Sequence, residues 1–150
     1  MLLRSSAARR RAATLVEAAL AFSVMSMLTL GTVVIAMGMY YYQQVAALAR
    51  EGARWASVHG AQYAADTGNA MATQATVQSN AITPMAAGMD TSRLTTTVSW
   101  DYSSEVPTLD DSSGNVVTNY VTVTVSYSWN PPLYLNSMTL TSTSVMPMQY

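Results

Sequence analysis

The chain has 150 residues, of which 50% are hydrophobic and only 10% charged, with a net charge of −1 at pH 7. An ordinary soluble domain carries about a quarter charged residues, so this composition excludes a disordered chain and leaves little room for a multidomain enzyme. Cysteine is absent and histidine occurs once, which removes disulfides, thiolate catalysis and cysteine-based or histidine-rich metal sites.

The charge is unevenly placed. Arg4, Arg9, Arg10 and Arg11 precede every acidic residue, and lysine is absent. From residue 13 onward, Arg50, Arg54 and Arg93 face eight carboxylates, a side-chain balance of 3 − 8 = −5. A basic tip on an acidic body does not suit nucleic-acid binding, which needs a basic face on the folded domain. It suits a chain whose N-terminus stays on the cytoplasmic side of a membrane.

No residue from Ala18 to Ala49 is charged, and Ala18 to Met39 is almost wholly apolar. About 20 such residues cross the hydrocarbon of a bilayer as a helix. Tyr40, Tyr41 and Tyr42 follow at once and read as an interfacial belt. A released secretory product is the competing reading, but its signal core spans only about 7 to 15 residues. Ala36 and Gly38 offer no more than a weak cleavage site before Met39. A retained single crossing is therefore expected, with residues 13–42 as the transmembrane helix after a basic leader, 1–12.

Glu17 lies inside this apolar stretch, where an ionised carboxylate is costly. Two readings are open. The side chain snorkels or pairs with Arg10 or Arg11, or it takes a cation from elsewhere. Cleavage before Ala13 would place a new α-amino group one helical turn away, and a neighbouring copy's amine would serve equally.

The run Arg9-Arg10-Arg11-Ala12-Ala13-Thr14-Leu15-Val16-Glu17 resembles the cleavage region of type IV pilin-like proteins. The resemblance implies a prepilin peptidase that cuts after Ala12, with Ala13 as the new N-terminus and Glu17 as the fifth mature residue. Ala12 stands where that family usually has Gly. The segment Ala49-Arg50-Glu51-Gly52-Ala53-Arg54-Trp55-Ala56 narrows the likeness to the TadE-like proteins of tight-adherence (Flp) pilus systems. That resemblance implies a pseudopilin or minor pilin of the bacterial inner membrane, N-terminus cytoplasmic and C-terminal part periplasmic or extracellular. Its implied partners are other pilins or pseudopilins and inner-membrane assembly proteins. Independently of the resemblance, the sequence offers no nameable nucleophile–base pair, so no catalysis and no cofactor are expected.

Past the membrane the helical period continues to about His59. Val45, Leu48, Gly52, Trp55 and His59 form a stripe, and Glu51 and Arg54 stand three apart beside it. Gly52, Ala56, Gly60 and Ala64 recur at four-residue spacing, leaving a groove for close backbone approach. The protein's own sheet or another subunit would fill it, and intrachain burial is the commoner use of a helix face. His59 has no sequence partner that would complete a catalytic set, so packing at the helix end is expected.

Asp66-Thr67-Gly68-Asn69 marks a turn, Ala70 to Ile82 a short helix, and Pro84 its stop. From Leu94 the period becomes two. Leu94, Thr96, Val98 and Trp100 share one face, and Val121, Val123, Val125, Tyr127 and Trp129 share another. Asp110 to Asn115 reads as a solvated hairpin tip, favoured over a calcium loop because the EF-hand spacing is missing. Pro131 and Pro132 end one strand, and Met138 to Met146 forms the last. The expected divisions are a helix continuation at 43–66, a small helix with turns at 67–93 and a sheet region at 94–150. The expected fold is α+β and pilin-like: a long N-terminal transmembrane helix continuing outside the membrane and packed on a small antiparallel β-sheet. An uncleaved, membrane-anchored binding module is the alternative.

Overall fold

The computed structural model describes residues 5–102, 108–110, 116–132 and 136–149. The chain forms two compact units, one ending at Met37 and the other beginning at Gly38. A single helix, α1 (Ser5–Ser57), supplies most of the first unit and the opening element of the second. From Arg10 it is long and apolar enough to cross a membrane. Its apolar side chains in the first unit are open: Leu15, Leu20 and Phe22 are 70%, 66% and 74% exposed. The mixed α+β class read from the sequence is the class observed.

The helical continuation ends earlier than the period suggests. α1 stops at Ser57, and α2 (Ala61–Thr67) follows after a turn in which Gly60 is extended. Long-range hydrogen bonds fix this end. The Ser57 carbonyl accepts from Gln149 N–H at 2.8 Å, and the His59 carbonyl accepts from Ala72 N–H at 2.7 Å. Carbonyls at a helix end have no intrahelical donor, so these remote amides satisfy them and halt propagation.

The short helix expected over 70–82 is compressed into three turns of different pitch. Thr73 caps α3 (Gln74–Val77) through a reciprocal bond with Thr76. A wide π turn, Gln78–Ile82, and a 3-10 turn, Thr83–Met85, complete it. Pro84 sits inside the last turn instead of ending it. At the start of a helical turn proline's missing N–H costs nothing.

Among the described residues five strands follow: β1 (Leu94–Trp100), β2 (Thr108–Asp110), β3 (Val116–Thr118), β4 (Tyr120–Trp129) and β5 (Met138–Pro147). β2 and β3 pair around residues 111–115, as a hairpin tip requires; the tip itself, with the calcium reading, lies outside the described residues. β1, β4 and β5 form an antiparallel sheet with β4 in the centre. Leu94 pairs with Tyr127 and Trp100 with Val121, while Tyr120 pairs with Pro147 and Trp129 with Met138.

Alternation sorts the side chains. Val121, Val123 and Val125 are fully buried, and Tyr127 and Trp129 nearly so. Together with Val45, Leu48, Ala49, Ala53 and Ala56 of α1, and Val77 and Ile82, they make the core of the second unit. The opposite face is hydroxyl-rich: Thr95, Thr97 and Ser99 are exposed on β1, and Thr124–Thr143 and Ser126–Thr141 hydroxyls pair across β4 and β5 at 2.9 and 3.0 Å. One face is packed and one is wet, the usual state of an antiparallel sheet.

Candidate functional site

In the first unit the hydroxyls turn back onto the helix. Thr14 donates to the Arg11 carbonyl at 2.9 Å, and Ser23, Thr29 and Thr32 donate to Leu20, Met25 and Thr29 carbonyls at 2.8 Å each. A helix in hydrocarbon must satisfy its polar groups internally, and these do so. Ala12, Ala13, Val16, Glu17 and Leu20 share one side of this helix. Ala13 and Glu17 stand one turn apart there, and Glu17 is exposed. Among the described residues no ion pair to Glu17 forms; the structure's pairs are Glu51 with Arg54 and Asp90 with Arg93.

In the second unit the small residues of α1 let the sheet come close. A Cβ on Gly52 would lie 3.1 Å from Val123 Cγ1 and 3.2 Å from Ile82 Cδ1. Gly52 and Ala56 are both buried, and Gly60 is buried at the α1–α2 turn. The space at Gly52 is therefore filled from within the chain. Gly38 does the same one end further on, where a Cβ would meet the Trp129 ring at 2.9 Å.

The tyrosine belt divides. Tyr40 and Tyr42 are 55% and 50% exposed. Tyr41 instead stacks on Tyr127 at a centroid distance of 5.5 Å and lies 6.0 Å from Trp129. The sequence reading missed this packing role for Tyr41 and Gly38. The signal was present, because 38, 41, 45, 48 and 52 extend the buried stripe upstream by steps of three and four.

Glu51 accepts from Arg54 Nε at 2.9 Å on the outer side of α1. The hydrogen bond from Arg54 holds the Glu51 carboxyl below its usual value. His59 stacks face-on against Trp55 at 3.8 Å and beside Tyr63 at 4.3 Å. Its Nδ1 donates to the Trp55 carbonyl at 2.7 Å, which assigns the proton to that nitrogen because a carbonyl only accepts. The ring is spent on packing at the helix end. Among the described residues no group of His, Asp and Glu is placed to hold a metal.

The apolar helix with an early glutamate, followed by a charged turn on a sheet-packed helix, is what the comparison with known families resolves. Residues 12–54 match the model of the TadE-like protein family. This stretch is TadE-like. The match begins at Ala12 and ends at Arg54, so it takes in Glu17, the apolar run and the Arg50-Glu51-Gly52-Ala53-Arg54 turn. No curated protein and no solved structure matches the chain. The sheet of the second unit lies outside the matched residues.

Proposed function

We propose that this protein is a TadE-like pseudopilin or minor pilin that takes part in assembly of a tight-adherence pilus. In this reading it enters the inner membrane with its arginine-rich end in the cytoplasm. A prepilin peptidase then cuts between Ala12 and Ala13, and the sheet-bearing unit is presented on the far side. The observation that carries the reading is the match over residues 12–54, which starts at the proposed cleavage site.

The assembly chemistry would sit in the first unit. Cutting there would free an amine on Ala13 one turn from Glu17, and the same carboxylate would be open to the amine of a neighbouring pilin. The exposed apolar helix would pack on other pilin helices, with inner-membrane assembly proteins as the machinery that handles it. The second unit fits this role as a compact head whose buried stripe is already occupied by its own sheet.

Intact mass and N-terminal sequencing of the protein recovered from membranes tests the reading. A chain starting at Ala13 is expected. A start at Met1 favours an uncleaved anchored module, and a start near Met39 means a released product.

A further inference from the structure

Two contacts inside the second unit fix the direction of α1 along its sheet. A Cβ on Gly38 would meet the Trp129 ring at 2.9 Å, and one on Gly52 would meet Val123 Cγ1 at 3.1 Å. From 38 to 52 the helix rises about 21 Å, and from 129 to 123 the strand covers about 20 Å. This part of α1 therefore runs antiparallel to β4 and level with it. Pairing carries the level across the sheet. Trp129 faces Met138, so Met138 stands level with Gly38, and Val145, which faces Thr122, stands about 23 Å further along β5.

The apolar run of α1 ends at Met39, a residue of this same unit. Met39 and Met138 are 62% and 53% exposed, as are Tyr40 and Tyr42 to a similar degree. Pro132 and Ser137, on either side of the β4–β5 connection, are exposed as well. No residue from 38 to 49 or from 112 to 150 is charged. At the start of β1, beside Leu94 and opposite Tyr127, Arg93 pairs with Asp90 at 3.3 Å, which leaves that corner neutral. Exposure does not by itself single out this end, because Tyr120 and Val145 are exposed at the other. The end of the apolar run does.

From this we infer that the β4–β5 end of the sheet is a second membrane contact, with Met138, Pro132 and Ser137 resting in the interfacial layer of the bilayer. The inference rests on the anchoring proposed above, which puts the edge of the hydrocarbon at Met39. Met138 shares that level because its pair, Trp129, touches the residue just before Met39. Lipid is present at this depth through the anchoring itself. The interfacial layer takes aromatic rings and amphipathic groups, and Met138 gains there the apolar burial that water denies it. With no unpaired charge to desolvate, entry costs little. Contact is apolar, so a zwitterionic bilayer suffices.

The test uses the full chain, which has no cysteine of its own, so a single-cysteine variant carries one nitrobenzoxadiazole fluorophore at a chosen place. Met138→Cys, Tyr42→Cys, Val145→Cys and Leu28→Cys are reconstituted in phosphatidylcholine vesicles. The quencher is phosphatidylcholine bearing a nitroxide either on the headgroup or near the end of an acyl chain. The Met138 and Tyr42 labels should emit further to the blue than the Val145 label and lose about half or more of their fluorescence to the headgroup nitroxide, whose layer they share. The Val145 label, about 23 Å away along the strand, should stay unquenched. Ser137→Cys, exposed and adjacent, is the second reporter where circular dichroism shows that Met138→Cys has not folded.

A Met138 label that behaves like the Val145 label overturns the inference. So does a Val145 label quenched as strongly as the Met138 label, since the contact would then not belong to this end. Quenching that appears only after anionic lipid is added would assign the contact to charge and overturn its apolar basis. The Leu28 label judges the anchor separately. Quenching there by the acyl-chain nitroxide, with none at Met138 by the headgroup nitroxide, sinks the inference and leaves the anchoring standing; no quenching at Leu28 sinks both.

Discussion

Gly52 lies against Val123 so closely that a single added carbon would stand 3.1 Å from the valine Cγ1, with Ile82 Cδ1 at 3.2 Å on its other side. Both neighbours are fully buried, so neither has room to retreat. Replacing Gly52 with Ala sets two effects against each other. The helix gains about 1 kcal/mol in propensity, and overpacking a filled core costs about 1–3 kcal/mol. Overpacking should win at Gly52. At Gly38 the contact is the far end of the Trp129 ring, which can swing, and the two effects should nearly cancel. Thermal melts are expected to rank Gly52→Ala well below Gly38→Ala, with Gly52→Leu failing to fold. Equal melting temperatures for the two alanine variants would show that the sheet does not press on Gly52.

Much of this arrangement is legible before any coordinates. Val alternating with Thr in β4 fits only a half-buried strand, and small residues at four-residue spacing mark where a helix is approached closely. Tyr41 was obscured because three adjacent tyrosines after an apolar run suit a membrane interface equally well. Rotation of about 100° per residue separates them, sending Tyr41 to the sheet and its neighbours outward. The end of α1 at Ser57 depends on Gln149, 92 positions later in the chain (149 − 57), and no local period carries that information. The order β1-β4-β5 is equally hidden, since alternation tells which face a strand buries and says nothing about its neighbours.

Asn119 joins β3 to β4 and is fully buried. Its side-chain oxygen accepts from Tyr102 N–H at 3.3 Å, and its carbonyl accepts from Met148 N–H at 2.8 Å. It thereby ties the start of β4 to the end of β1 and to the C-terminal segment. Asn119→Ala removes the side-chain acceptor and should cost about 1–3 kcal/mol, the penalty for an amide left without its partner. Asn119→Asp keeps the acceptor but buries a carboxylate, so it should be less stable at pH 7 than at pH 4. Chemical denaturation at the two pH values checks this, and an aspartate variant insensitive to pH would contradict it.

Two carboxylates outside the long apolar segment make stability fall in acid. The hydrogen bond from Arg54 lowers the Glu51 value from its usual 4.5, and the Ser92 hydroxyl and then its backbone N–H lower Asp90 from 3.8. A group whose value is lower in the folded state contributes fully above its unfolded value and loses that contribution as pH falls through the folded one. The decline therefore begins below about 4.5. Both sites are on the surface, where such pairs contribute little, so the effect should be small. Melting temperature should drop from pH 5 to pH 3 less in a Glu51→Gln, Asp90→Asn double variant than in the unaltered protein. A double variant with the same acid slope would assign the loss to other carboxylates.

Glu17 tests the assembly reading. A carboxylate within an apolar helix is disfavoured in hydrocarbon, by about 2.5–3.5 kcal/mol at a helix centre and less near an end. Glu17→Val removes that cost, so insertion should be equal or better. The substitution also removes the only acidic group between Arg11 and Arg50, and with it the partner for a pilin amine. Membrane fractionation should therefore find the valine variant fully inserted. Co-isolation with sheared pili, or with the other pilins from membranes, should fall about ten-fold or more, as loss of one buried charge pair predicts. Glu17→Asp keeps the charge on a shorter arm and should recover part of the association. A valine variant that assembles normally would mean that Glu17 merely snorkels to the headgroups, with helix packing alone holding the subunit in place.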